Sequence, residues 1–322
     1  MKIERVVIIG GSGFVGSAIA NRLCEEGVTV QVPSRRPSRA RHLILLPTVE
    51  VMEADVHDPA TLERLFAGAD AVVNLVGILH SRSGTPFGPD FARAHVELPQ
   101  KIVAACRKAG VGHLVHVSAL GASPDGPSEY LRSKAAGEAA VQAAGDSPAW
   151  TILRPSVIFG RLDNFLNLFA RLAGIFPVLP LAGAGARFQP VHVEDVAEVV
   201  WRCLTEPAAA TGRTFELAGP TVYTLRQLVE YVSELVGRPR PIIALPEGLA
   251  MLQARLMELA PSPVMSRDNV RSMRVDNVAD GPPLPFGLTP TSLEAVAPTY
   301  LGGSSLRARF LPLRSDSHRH HA

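Results

Sequence analysis

The sequence predicts an α/β fold, a doubly wound parallel sheet with a smaller cap region interleaved toward the C-terminal end, and three observations carry it. Short β-branched runs such as Val6-Val7-Ile8-Ile9 and residues 71–76 read as strands buried on both faces. Between them lie stretches of helical spacing that stop on glycine: 17–26 before Gly27, 99–109 before Gly110 and 130–144 before Gly145. No hairpin signal interrupts the alternation. Consecutive strands are therefore joined by right-handed crossovers and lie parallel.

Taken in order, the first strand breaks into Gly10-Gly11-Ser12-Gly13-Phe14-Val15-Gly16 and the first helix. Residues 29–32 form a strand ending in Pro33-Ser34-Arg35-Arg36-Pro37, and 49–52 a third, followed by Asp55-Val56. A short helix covers 61–66, and strand 71–76 runs into Gly77. After helix 99–109, strand 114–117 leads into Ser118, helix 130–144 follows, and 150–153 is again a strand. Beyond Ser156 the rhythm changes. Strands at 187–192 and 215–217 and helices at 195–204 and 225–236 precede a stripe of Leu249, Leu252, Leu256 and Leu259. The organisation expected is a nucleotide domain over 1–155 with a returning strand and helix near 187–204. A cap is expected over 156–186 and 205–281, and a loosely held proline-rich tail over 282–322. The leucine stripe reads as cap core, with a bilayer-facing helix, Arg255 opposite its apolar side, as the alternative.

Bulk composition excludes several classes. With 322 residues, 47% hydrophobic and 19% charged, the chain has ample core for one large or two unequal domains. A net charge of +2 gives no reason to expect nucleic acid. The three scattered cysteines, Cys24, Cys106 and Cys203, fit buried thiols in a reducing cytoplasm better than a disulfide framework. Met1-Lys2-Ile3-Glu4 leads straight into the first strand and no run of 18 apolar residues follows, so neither a secretory signal nor a membrane span is expected.

The glycines supply the first chemistry. In a strand–turn–helix context, Gly10 permits the tight turn and Gly13 lets backbone approach a pyrophosphate. Gly16 lets the helix pack on the strand, and the helix N-terminus faces the phosphates. This is the Rossmann arrangement for a dinucleotide, and it places Asp55, Gly77 and Ser118, all at strand ends, in one crevice. No carboxylate follows Val32 to hold a ribose; Arg35 and Arg36 stand there instead, suited to grip a 2′-phosphate. NADP(H) is the preferred cofactor on that ground and NAD(H) the alternative. Arg39 and Arg41 read equally as a solvated patch. Asp55 reads as a partner for the adenine amino group or as the cap of its own turn.

Tyr130 and Lys134, four residues apart, share a helix face behind the strand-end Ser118. A neighbouring ammonium would lower the phenol's pKa from about 10 and allow Tyr130 to move a proton while Ser118 orients a substrate oxygen. His192 and Asp195 fit a strand end and a helix start rather than a metal site or triad, and His318, His320 and His321 fit a polar tail, so no metal is expected.

Together these motifs resemble an extended or atypical short-chain dehydrogenase/reductase of the NAD(P)-dependent epimerase/dehydratase kind. The resemblance is carried by Gly10 to Gly16, Asp55-Val56, Asn74-Leu75-Val76-Gly77, Ser118, Tyr130 with Lys134, Arg154-Pro155-Ser156 and Pro190-Val191-His192. Within that superfamily the chain is most similar to the NADPH-binding accessory subunit of respiratory complex I and its bacterial homologues, through residues 130–138, 154–167 and 189–191. The resemblance implies cofactor contacts from Gly10, Ser12, Gly13, Phe14, Val15, Gly16, Arg35, Arg36, Asp55, Val56, Val76, Gly77, Tyr130, Lys134 and Pro155. It implies catalysis by Ser118, Tyr130 and Lys134. Two departures stand out: Ile9 where many members carry threonine, and His95 where many carry an asparagine that helps hold the lysine. Three functions follow as expectations. They are an NADP(H)-dependent oxidoreductase on a carbonyl or hydroxyl carbon, an NADPH-holding subunit or assembly factor associated peripherally with a respiratory complex or the inner membrane, and a nucleotide-sugar epimerase or dehydratase.

Overall fold

A computed structural model describes residues 2–260 and 263–302. In chain order its elements begin β1 (Arg5–Ile9), α1 (Phe14–Glu25), β2 (Thr29–Ser34), β3 (Val49–Glu53), α2 (Pro59–Phe66) and β4 (Ala71–Asn74). They continue with α3 (Pro89–Phe91), a π-helical turn at Ala92–Glu97, α4 (Leu98–Ala109), β5 (His113–Val117), α5 (Glu129–Gln142) and β6 (Ala149–Pro155). Then come β7 (Ile158–Phe159), α6 (Leu166–Ile175), β8 (Leu179–Leu181), β9 (Arg187–Phe188), β10 (Val191–His192), α7 (Val193–Thr205) and α8 (Pro207–Ala210). The last are β11 (Arg213–Leu217), β12 (Tyr223–Thr224), α9 (Leu225–Leu235), β13 (Ile242–Ala244), α10 (Glu247–Met257), α11 (Arg267–Ser272) and α12 (Leu293–Leu301).

Seven of these strands form one parallel sheet in the order β11-β6-β5-β4-β1-β2-β3. The order reverses between β1 and β4, whose registers align Ile9 with Asn74. A crevice therefore opens at their carboxyl ends. Strand pleating divides the core. Val6 and Ile8 face α1 and α7, packing with Ile19, Leu23, Val196 and Val200, while Val7 and Ile9 face α2 and α4, packing with Leu62, Phe66, Leu98 and Ile102. Every one of these residues is fully buried. Ile9, the first departure noted in the sequence, is thus a core residue of the second face.

The region beyond β6 differs from expectation in three places. Strand 215–217, assigned by its sequence position to the cap, is β11 and pairs with β6 as the sheet's edge. The expected strand at 187–192 is two short pieces outside that sheet: β9 pairs with β12 and β10 with β7. The stretch from 282, expected as a loose tail, contains α12, whose Leu293, Ala297 and Leu301 are buried against Leu228, Val229 and Val232 of α9. Leu284 is buried in the main core, and Asp195 accepts hydrogen bonds from the Thr291 N–H and hydroxyl at 2.7 and 2.8 Å. Alanine and proline in this segment hid a helix that docking on α9 and the Ser292 cap stabilise. His318, His320 and His321 lie outside the described residues. No described helix is long and apolar enough to cross a membrane.

Candidate active site

The glycine turn sits at the switch point. Gly10 has φ +87°, and a Cβ there would lie 3.3 Å from the carbonyl carbon of Leu75, so the turn needs both glycine's backbone and its lack of side chain. A Cβ on Gly16 would press on Gly11 Cα and come within 2.7 Å of the Gly10 carbonyl oxygen. Gly13 differs. It caps α1 with extended backbone (φ −84°, ψ 178°), and its Cβ would meet only the Gly10 oxygen at 3.4 Å. The protein thus leaves open space at Gly13, beside an α1 terminus without a side-chain cap, where anionic oxygens find unpaired N–H groups. Ser12, Phe14 and Val15 are half-buried around the turn.

At the end of β2, Arg35 and Arg36 are exposed and neither makes an ion pair among the described residues; Ser34 Oγ accepts the Arg36 N–H at 3.3 Å. Arg39 and Arg41 are exposed on the following 3₁₀ stretch, Pro37–Leu45. Asp55 closes its own turn, its Oδ1 accepting the His57 N–H at 3.0 Å. That is the capping reading, and the second oxygen is left over. Val56 and Val76 are half-buried against the second core face, Gly77 is exposed, and Pro155 is buried as the last residue of β6.

The catalytic candidates converge at the ends of β4 and β5. Ser128 caps α5, its hydroxyl accepting the Leu131 N–H, which sets Tyr130 and Lys134 in the first two turns. The Lys134 ammonium is buried and donates to the Val117 carbonyl oxygen at 2.7 Å, one residue before Ser118. Burial lowers its pKa to about 8, with Glu138, one turn on, opposing the shift. The Ser118 hydroxyl is buried and has no hydrogen-bond partner. A buried, unsatisfied hydroxyl costs stability, and just past the carboxyl end of β5 it suits an incoming oxygen. Burial pushes the Tyr130 phenol up to about 12, although the residue as a whole is half-buried. The lowering expected from Lys134 is therefore absent: the ammonium is turned toward Val117, and desolvation of the phenolate wins.

His95 is brought into the same cluster by the π-helical turn. Its Nε2 accepts the Ile78 N–H at 3.0 Å, so the proton sits on Nδ1, which lies 2.8 Å from Ser133 Oγ; that hydroxyl donates to the Tyr130 carbonyl oxygen. Burial, with Lys134 nearby, lowers the His95 pKa to about 3. A neutral imidazole thus ties the loop after β4 to the catalytic helix. Gly137 allows the approach, since a Cβ there would overlap the His95 carbonyl oxygen.

Two supports come from residues distant in the chain. Asp268 of α11 accepts the Glu129 and Tyr130 N–H groups, one on each carboxylate oxygen, at 2.8 and 2.9 Å, so the cap holds the start of α5. Glu138 receives a bidentate fork from Arg154 at 2.9 and 2.6 Å, which braces α5 on β6. Separations of 138 and 139 residues for the first carry no local signal. His192 and Asp195 sit at the start of α7, and no cluster of three or more metal-ligating side chains occurs among the described residues.

The open slot at Gly13, the unpaired arginines after β2 and the orphaned Ser118 hydroxyl all fit a dinucleotide phosphate and a reacting oxygen. Comparison with known proteins agrees at the level of family. A family model described as the NAD dependent epimerase/dehydratase family matches residues 6–218. The chain is 34% identical over 297 residues to the NADH dehydrogenase [ubiquinone] 1 alpha subcomplex subunit 9 of Mus musculus mitochondria, covering 89% of this chain and 77% of that one. It is 32% identical over 246 residues to a ceramide reductase of Caulobacter vibrioides, covering 75% and 74%. Among solved structures it is similar to DesIV, a dTDP-glucose 4,6-dehydratase from Streptomyces venezuelae with NAD and TYD bound, with a TM-score of 0.66 and 22% identity over 76% of this chain and 85% of that one.

Proposed function

The chain belongs to the NAD dependent epimerase/dehydratase family, and from that premise we propose that it is an NADP(H)-dependent oxidoreductase acting on a carbonyl or hydroxyl carbon. The observation that carries the reading is the buried, partnerless Ser118 hydroxyl beside the Val117–Lys134 hydrogen bond. In this reading Ser118 donates to the substrate oxygen and Tyr130 gives or takes the proton on that oxygen through its phenol, while Lys134, hydrogen-bonded to the Val117 carbonyl, holds a positive charge next to Ser118. The cofactor, when bound, exchanges hydride with the carbon and, in oxidised form, brings a charge that favours the phenolate. Gly13 and the α1 terminus would hold its pyrophosphate and Arg35 with Arg36 its 2′-phosphate. His95 keeps the loop carrying Gly77 against α5 without adding a second cation.

A second reading has its own support, the 34% identity to a respiratory-chain subunit. There the chain holds NADPH as a structural ligand within or beside a respiratory complex, and the same residues turn over rarely.

Tyr130→Phe separates the two. As an oxidoreductase, the wild type oxidises NADPH in the presence of a panel of ketones, quinones and acyl-ceramide precursors. The variant should lose about a thousandfold or more of that rate while its NADPH affinity, read by fluorescence titration, stays near normal. Tight binding with no oxidation by the wild type supports the structural reading. Loss of NADPH binding in the variant would overturn the role given to Tyr130.

A further inference from the structure

Helix α10 is laid on the cap with its polarity reversed. Ala250 and Ala254, on one face, are buried against Ala182 and Val270. Leu249, Leu252 and Leu256, on the opposite face, and Leu259 in the turn just past the helix are 52%, 53%, 61% and 82% exposed. Spacings of three and four keep Leu249, Leu252 and Leu256 in one stripe, about 150° around the helix from the alanines at 100° per residue. The stripe expected to form cap core is therefore on the surface. Water selects against that arrangement, since leucines would gain more from burial than alanines. Further apolar side chains are exposed beside the start of α10: β13, which leads into it, exposes Ile243, and β8, which pairs with β13 in parallel, is preceded by exposed Ile175 and Phe176.

Both carboxylates of α10 and its end are occupied, Glu247 by Arg274 and Glu258 by Arg267. Arg255, flanking the leucines, makes no ion pair among the described residues, nor does exposed Arg171 of α6. Among the described residues, Arg238 and Arg240 donate only to the Gly174 and Ala173 carbonyl oxygens, just before Ile175. Apolar side chains rimmed by unpaired arginines match a surface that offers acyl chains beneath anionic headgroups.

We propose that the leucine face of α10 docks the protein on an anionic bilayer. The site is mechanically joined to the crevice. Glu258, just past α10, holds both the backbone N–H and the guanidinium of Arg267, and the next residue, Asp268, caps α5 at Tyr130. Docking at α10 thus sets the crevice near the lipid surface, where an apolar carbonyl or hydroxyl compound is delivered. The docking itself does not rest on the enzymatic reading, because its test requires no turnover.

The test is co-sedimentation of the full chain with vesicles of phosphatidylcholine containing about one third phosphatidylglycerol. The wild type should bind these vesicles and bind phosphatidylcholine alone far more weakly. Leu252→Glu with Leu256→Glu, both at exposed positions, should lower the partition coefficient at least ~tenfold, with circular dichroism and thermal midpoint unchanged. Arg255→Gln and Arg171→Gln should each lower it about fivefold, an effect that rising salt removes. No binding by the wild type to anionic vesicles overturns the proposal. So does a dimer, seen by light scattering, that the leucine variant turns into monomer without any vesicle binding, since the face would then belong to a second copy.

Discussion

Replacing Gly13 by alanine tests whether the α1 terminus is a phosphate site or merely a turn. Its backbone, φ −84° and ψ 178°, is open to any residue, and the added Cβ would lie 3.4 Å from its nearest neighbour, the Gly10 oxygen. The ligand-free protein should therefore change in stability by no more than about 0.5 kcal/mol. A pyrophosphate in the same space would lose two charge-assisted hydrogen bonds, about 3 kcal/mol together, or more than ~100-fold in affinity. NADPH at a hundred times its Kd stabilises the wild type by about 2.7 kcal/mol, close to 5 °C in a chain of this size. The same concentration on Gly13→Ala should give about 0.4 kcal/mol, or less than ~1 °C. Gly16→Ala is the contrasting control. Its Cβ would meet backbone at 2.7 Å, so the ligand-free midpoint itself should drop, by about 1–3 kcal/mol. The assay is thermal unfolding with and without NADPH. An undiminished shift in Gly13→Ala would refute the phosphate site.

Three further outcomes are expected. Arg35→Ser with Arg36→Ser should weaken NADPH at least ~tenfold and leave NADH within about twofold; equal losses for both, in fluorescence titrations, would remove the 2′-phosphate assignment. His95, His113 and His116 are buried, with pKa values lowered by desolvation to about 3, about 4 and well below the usual range. Each is protonated in the unfolded chain first, so stability is full above about pH 6.5 and falls by about 1 kcal/mol per histidine per pH unit as the pH drops toward 4. Urea melts between pH 7 and 5 measure that slope, and His95→Asn should reduce it by about 1 kcal/mol per pH unit; an unchanged slope would contradict a neutral His95. Glu138→Gln leaves the Arg154 guanidinium, 29% exposed, without its buried carboxylate, and should cost about 2 kcal/mol in the same melts. A change within about 0.5 kcal/mol would show that the fork contributes little.

What the sequence determined by itself was local. Alternating apolar strands and glycine-stopped helices specify their own secondary structure, and a parallel sheet follows from their order because crossovers have a fixed hand. Gly10, Gly13, Gly16, Ser118, Tyr130 and Lys134 lie within one element or at its end, so short spacings reveal them. Tertiary structure decided everything that depends on elements distant in the chain. It set β11 on the sheet edge, docked α12 on α9, and turned Lys134 to Val117 instead of leaving its charge to act on the Tyr130 phenol. It made His95 a neutral strut between the loop after β4 and α5, and brought Asp268 across 138 residues to cap Tyr130. The leucines of α10 show the limit most clearly. Their period was plain in the sequence, but periodicity names a stripe and not its neighbour: which face is buried depends on the surface the helix meets, and here that surface, Ala182 and Val270, took the alanines.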